Sequence, residues 1–192
     1  MNGEIMKSLH VAIMTVLLLA WCAPEALAAG FGFYGKFGEG KVRYNNAAGT
    51  LRENTEFIGA GMVLDTAVAR DRLFNYRLHV GYEKLKNDLE RLESVVVDQD
   101  FGLALHRSKK SRIWLGPELR IAFSDDDIGI GIGPVVGVNL HAGRSTSVVL
   151  KGGVIFTDFS HRWYSTEDFE RNRESHAFLT LAILFRSHRD RF

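Results

Sequence analysis

A histidine beside a serine, with an acid nearby, is the residue set of nucleophilic acyl transfer: the imidazole takes the hydroxyl proton and the carboxylate orients the ring. Three places supply such residues, Ser160-His161, Glu174-Ser175-His176 and His106-Arg107-Ser108. The first two flank a long hydrophilic stretch, where solvated loop residues explain them more simply. Asp125-Asp126-Asp127 offers carboxylate oxygens to a divalent cation. Three consecutive acids cannot all point at one ion unaided, so a solvated tight turn is the better reading and no metal is expected. Gly129-Ile130-Gly131-Ile132-Gly133 has the glycine density of a phosphate loop, but no helix follows it. A dinucleotide site, or any other cofactor, is therefore not expected.

The charges follow a more regular pattern. Lys36, Arg77, His79, Asp98, Asp100, Glu118, Arg120 and Lys151 sit in segments whose polarity largely alternates residue by residue. That period is a strand's, since a helix brings its apolar positions round every three to four residues. From Leu73 to Glu83, Phe74, Tyr76, Leu78, Val80 and Tyr82 oppose Asn75, Arg77, His79, Gly81 and Glu83. Arg112 to Ser124 and Ile128 to Leu140 repeat the pattern, the latter with glycine on nearly every second position. Val95 to His106 sets Val95, Val97, Phe101, Leu103 and Leu105 against Asp98, Asp100, Gly102, Ala104 and His106. Weaker alternation marks Phe31 to Phe37, Ile58 to Asp65, Thr146 to Thr157 and His176 to Arg186, which makes eight strands.

The connections between them alternate in length. Asp65 to Arg72, Arg107 to Ser111 and His141 to Ser145 are short and polar. Glu39 to Thr55, Lys84 to Glu93 and Asp158 to Glu174 are long and hydrophilic, and Ser124 to Asp127 is short. Short turns at one end and longer loops at the other are the asymmetry of an outer-membrane barrel. Lys84 to Leu92 allows either one amphipathic helical turn or an extension of two strands. His161, Arg162, Trp163 and Tyr164 in the last loop form a candidate contact surface for lipopolysaccharide phosphates or an unknown surface partner.

Alternation alone does not say which face meets water. A soluble barrel or sandwich would turn the apolar face inward. Here the polar face carries acids and bases on neighbouring strands, and an eight-stranded interior is just wide enough for side chains to fill. Such a mixture fits a paired network inside a membrane barrel, with the apolar face toward lipid.

The bulk composition agrees, with 46% hydrophobic and 24% charged residues. The net charge of +1 gives no reason to expect nucleic acid. Lys7, the apolar run from Val11 to Trp21 and Ala26-Leu27-Ala28 read as a secretory signal peptide over residues 1–28, cut after Ala28. The run is too short for a spanning helix, which needs about 20 residues. Removing Lys7, Glu4 and Glu25 leaves 23 basic and 21 acidic residues, and the only cysteine, Cys22, leaves with the leader. The mature chain then has no disulfide. Residues 29–192 form the second unit, the barrel domain.

With leader, strands, charged interior and terminal Phe192 in place, the mature chain resembles the small OmpA/OmpX-type outer-membrane β-barrel proteins. Trp114-Leu115-Gly116-Pro117 and the run Gly131 to Asn139 look like strand cores of that group. The resemblance implies an all-β fold, an eight-stranded antiparallel up-and-down transmembrane barrel. It implies the outer membrane as location, outer-membrane lipid and lipopolysaccharide as partners, and a monomer. Members serve as anchors, adhesins, small pores or lipid-modifying enzymes, so fold does not fix function. Barrels that deacylate lipid A carry a His-x-Ser-Asn signature, whereas His106-Arg107-Ser108 is followed by Lys109. A structural or surface-interaction role without catalysis is the expectation. A narrow pore, a lipid A-modifying enzyme and a soluble periplasmic ligand-binding barrel are the alternatives. Amino-terminal sequencing of the exported protein should begin at Ala29; an intact leader would show an anchor instead.

Overall fold

The computed structural model describes residues 30–46, 49–67, 73–87, 91–108, 110–124, 127–143, 145–161 and 170–186. The expected leader lies outside these residues, as do Asp125, Asp126, Arg162, Trp163, Tyr164 and the terminal Phe192; the side chain of His161 is likewise not described. Eight strands follow one another: β1 Gly30–Asn46, β2 Gly49–Ala67, β3 Phe74–Lys86, β4 Arg91–Arg107, β5 Ser111–Phe123, β6 Asp127–His141, β7 Thr146–His161 and β8 Glu170–Arg186. Each pairs antiparallel with the next, and β8 pairs with β1, closing the ring.

The register gives the ring its stagger. From Gly32, paired residues lead through Val63, His79, Asp98, Arg120, Gly131, Thr157 and Glu174 to Val42, ten residues further along β1. A barrel with that stagger must tilt its strands, by about 35–45° in this class.

Polarity is inside out. Ile58 and Ile130 are 66% and 68% exposed, while Lys36, Asp100 and Glu118 are at most 2% exposed. The outward apolar side chains form a belt from Phe31 to Phe37 on β1, Ile58 to Leu64 on β2, Phe74 to Tyr82 on β3 and Leu179 to Phe185 on β8, continued round β4 to β7. No helix among the described residues is long and apolar enough to cross a membrane; the crossing is made by strands. About nine tilted residues per strand cover the roughly 25 Å apolar band of such barrels.

Beyond one edge of the belt the polarity reverses. The stretches Glu39 to Thr55, Lys84 to Glu93 and Asp158 to Glu174, expected as loops, are largely strand: β1 runs on to Asn46, β2 starts at Gly49, β3 ends at Lys86, β4 starts at Arg91, and β7 and β8 reach His161 and Glu170. Their outward positions are now Glu39, Lys41, Arg43, Arg52 and Lys86. Their inward positions, Val42, Tyr44, Phe57 and Leu85, pack with Leu51 and Leu92. This inner apolar cluster holds the strands together after lipid contact ends. Of the two readings of Lys84 to Leu92, strand extension is the one observed.

Two further details differ from simple alternation. The β4–β5 register shifts between Ala104 and His106, so His106 pairs with Ile113 and is exposed instead of facing inward. A bulge of this kind adds one residue to one strand and turns over every later side chain. Pro117 and Pro134 sit directly opposite each other in an unbroken β5–β6 register, so neither marks an edge or a bulge there. Instead the β4–β5 pairing lapses opposite Gly116 and Pro117, and the β6–β7 pairing lapses opposite Gly133 and Pro134. A proline nitrogen cannot donate, and each lapse falls beside one.

Inside, large and small side chains interlock. The Trp114 indole fills the space over Gly137, and a Cβ added there would collide with its ring. Gly152 faces outward, where a Cβ would meet only ordinary van der Waals contacts at 3.5 Å. Gly137→Val should therefore lower the temperature at which the folded gel band converts to the unfolded one, by overpacking worth about 1–3 kcal/mol, while Gly152→Val should leave it nearly unchanged. Equal effects would place the crowding elsewhere.

Candidate functional site

The residues able to do chemistry gather in the lumen. β1 contributes Lys36, β3 Arg77, His79 and Glu83, β4 Asp98 and Asp100, β5 Glu118 and Arg120, and β7 Lys151; all are buried. Strand alternation places them, since each occupies an every-second position of its strand.

On the β4–β5 wall, Asp100 lies directly opposite Glu118. Such a like-charged pair destabilises a sheet unless cations intervene. The cations come from across the barrel. Lys151 Nζ donates to Glu118 Oε2 at 2.5 Å and to Asp100 Oδ1 and Oδ2 at 3.0 and 3.1 Å. Lys36 Nζ donates to Glu118 Oε1 at 3.0 Å and Asp98 Oδ2 at 2.8 Å. The Glu118 carboxylate thus bridges two lysines. Both lysines flank the same β8 residue, Thr180, whose small side chain leaves room for them. The Phe178 ring lies beneath, its centroid 4.1 Å from Lys36 Nζ and 5.5 Å from Lys151 Nζ. Its face attracts both ammonium groups. Arg120 pairs with Glu83 and stands 3.8 Å from Asp98, and His79 Nε2 is 3.1 Å from Asp100 Oδ2.

A second group involves Arg77. Its Nε donates to Asp65 at 2.7 Å and its guanidinium to Asn139 Oδ1 at 3.0 Å. The guanidinium also lies over the Trp114 ring at 4.5 Å, and Trp114 Nε1 donates to the same Asn139 oxygen. A planar guanidinium suits stacking and fixed hydrogen bonds together. Beside these pairs the lumen holds two apolar clusters, one of Tyr34, Val63, Val149, Ala182 and Leu184, the other running from Val42 and Phe57 to Trp114 and Phe178. The lumen therefore holds an ion-paired plug interleaved with apolar side chains.

The plug also uses Glu83, which the sequence places on the same polar face, and Asp65, Trp114 and Asn139, which are not among the charged-network residues chosen from sequence. Glu83 stands on the same alternating face as Arg77 and His79, which is signal enough. Nothing in the local sequence marks Asn139 as a shared acceptor.

Of the hydrolytic candidates, the side chains of Ser160 and His161 are not described, and the other two sets do not assemble. Ser175 faces outward, while Glu174 and His176 face inward, with 3.7 Å between His176 Nδ1 and Glu174 Oε2. Consecutive strand residues point to opposite faces. His106 is exposed, and Ser108 spends its hydroxyl on the turn to Ser111. Gly129, Gly131 and Gly133 face the crowded lumen, with no helix beside them. Among the described residues no three His, Cys, Asp or Glu side chains converge on a metal position.

A closed eight-stranded antiparallel ring with an apolar outer belt and a charged interior has the architecture of a small transmembrane β-barrel. No protein-family model and no curated protein matches the chain. Three of the solved structures similar to it are the following. Neisserial surface protein A matches 81% of this chain over 97% of its own, with 16% identity and a TM-score of 0.41. The outer-membrane protease OmpT from Escherichia coli matches 83% over 96%, with 9% identity and a TM-score of 0.38. The translocator domain of the autotransporter NalP from Neisseria meningitidis matches 96% over 98%, with 7% identity and a TM-score of 0.32.

Lys36→Met removes one cation and leaves Asp98 and Glu118 short of a partner in a buried site, a loss of about 3–5 kcal/mol. Adding Glu118→Leu to that variant should recover part of it. Urea unfolding in detergent micelles measures both; a double variant no more stable than the single one would show that the lysine acts by packing alone.

Proposed function

We propose that the protein is an integral outer-membrane barrel with a structural or surface-interaction role and no catalytic activity. The observation that carries this reading is the ion-paired plug: Lys36, Glu118 and Lys151 connect opposite walls through one carboxylate. Side chains bonded to one another across the lumen favour an anchor or contact protein over a narrow pore. The wall also supports it, because the belt faces outward all round the ring while the strands stand beyond it on one side. Outer-membrane lipid and lipopolysaccharide are the partners such a wall meets, and a ring without edges needs no second copy.

The loop set His161, Arg162, Trp163 and Tyr164 remains part of this proposal as a contact surface for lipopolysaccharide phosphates or a surface partner. A lipid A-modifying enzyme is the second reading only in principle, as Glu174, Ser175 and His176 are divided between two faces.

The protein should fractionate with outer membranes, migrate faster unboiled than boiled, and give no stable conductance steps in a planar bilayer. Regular steps would replace the anchor reading with a pore. Release by osmotic shock without detergent would overturn the membrane reading altogether.

A further inference from the structure

Inside the barrel, opposed like charges are bridged by a counter-charge from across the lumen. On the outer wall, among the described residues, a row of like charges has a counter-charge at one end only. Arg43 on β1 lies directly opposite Arg52 on β2 and directly opposite Arg173 on β8, so three arginines stand side by side on three adjacent strands. All three are exposed. Arg173 Nε donates to Asp158 Oδ1 at 2.6 Å, at the far end of the row. Lys41, also exposed, sits one outward position nearer the belt. Like charges directly across a ladder are destabilising, and water screens them only in part.

The position of the row says what would relieve it. Arg43 lies six residues beyond Phe37, the last outward aromatic of β1. On a tilted strand that separation raises the row roughly 15 Å above the apolar belt. That is the depth of a large lipid headgroup. Below the row, Ser175 and Ala177 form a low strip between Phe156 on β7 and Lys41 and Glu39 on β1, lining one depression of the outer wall. Glu39 and Glu56, opposite each other and exposed, stand between Lys41 and the apolar belt that begins at Phe37 and Ile58, so the cationic row with Lys41 forms the upper, phosphate-matching part of this wall and the belt its lower, acyl-matching part. Guanidinium groups hold phosphate oxygens in pairs, which single lysines do not.

We propose that the outward wall of β8, β1 and β2 docks the phosphorylated saccharide headgroup of an outer-leaflet glycolipid, with Arg43, Arg52 and Arg173 as its phosphate ligands and Lys41 assisting. The proposal rests on the outer-membrane reading and sharpens it. It assigns the contact to strand residues, apart from the last loop.

The test uses the full folded barrel in detergent with bisphosphorylated lipid A as probe, and native mass spectrometry to read occupancy. Arg43→Gln with Arg52→Gln should weaken occupancy on the order of tenfold or more, and Arg52→Gln alone by a smaller factor. Lipid A stripped of its phosphates should bind the native protein as poorly as intact lipid A binds the double variant. Arg107→Gln with Lys110→Gln, removing the same charge at the other rim, should change nothing. Unchanged occupancy in the double variant overturns the site. An equal loss in the rim control, or equal retention of phosphatidylglycerol, overturns it too, since either means unselective charge attraction. The heat-shifted gel band shows that each variant is folded. Failure of the outer-membrane reading registers separately, as protein missing from the membrane fraction.

Discussion

Hydrogen bonds between β1 and β8 are the condition on which the other features depend. In hydrocarbon an open sheet edge exposes a row of peptide groups with nothing to bond, at several kilocalories per group. Pairing from Gly30 with Arg186 through Asn45 with Glu170 removes that edge. Closure at eight strands then fixes the radius, and the ten-residue stagger fixes the tilt. A ring this narrow must be filled by its own side chains.

The interior follows from that constraint. The wall faces lipid outward, so the inward positions are the ones left for polar groups, and each buried charge needs a partner. Partners on one wall would often share a sign, as Asp100 and Glu118 do. Reaching across solves this, and only long side chains can do it, hence Lys36 and Lys151 opposite the carboxylates. Trp114 occupies the remaining volume where Gly137 makes way. Charge, length and the placing of glycine are all consequences of one radius.

Much of the fold is legible in the sequence because the membrane imposes a single rule on every second residue. Eight alternating segments give eight strands, and the charged face is the inner one. The strand ends are not legible by the same rule, because beyond the belt it changes sign. Val42, Tyr44, Phe57 and Leu85 still alternate with Lys41, Arg43, Glu56 and Lys86, but with the apolar set inside, so a search for outward apolar residues stops at Phe37 and Tyr82. His106 shows a second cause: one extra residue at the bulge reverses its face without changing the local composition. Pairings such as Lys36 with Glu118 span 82 positions and depend on the stagger. No local pattern encodes them.

The facing prolines have a mechanical meaning. Pro117 and Pro134 leave the β5–β6 hairpin internally intact but thin the ladder on both of its flanks, toward β4 and toward β7. Local opening follows the weakest bonded boundary. The ring is therefore jointed: one hairpin is fastened to the remaining six strands by two seams with missing stitches. Whatever force the bilayer exerts sideways on this cylinder is felt first along those two lines.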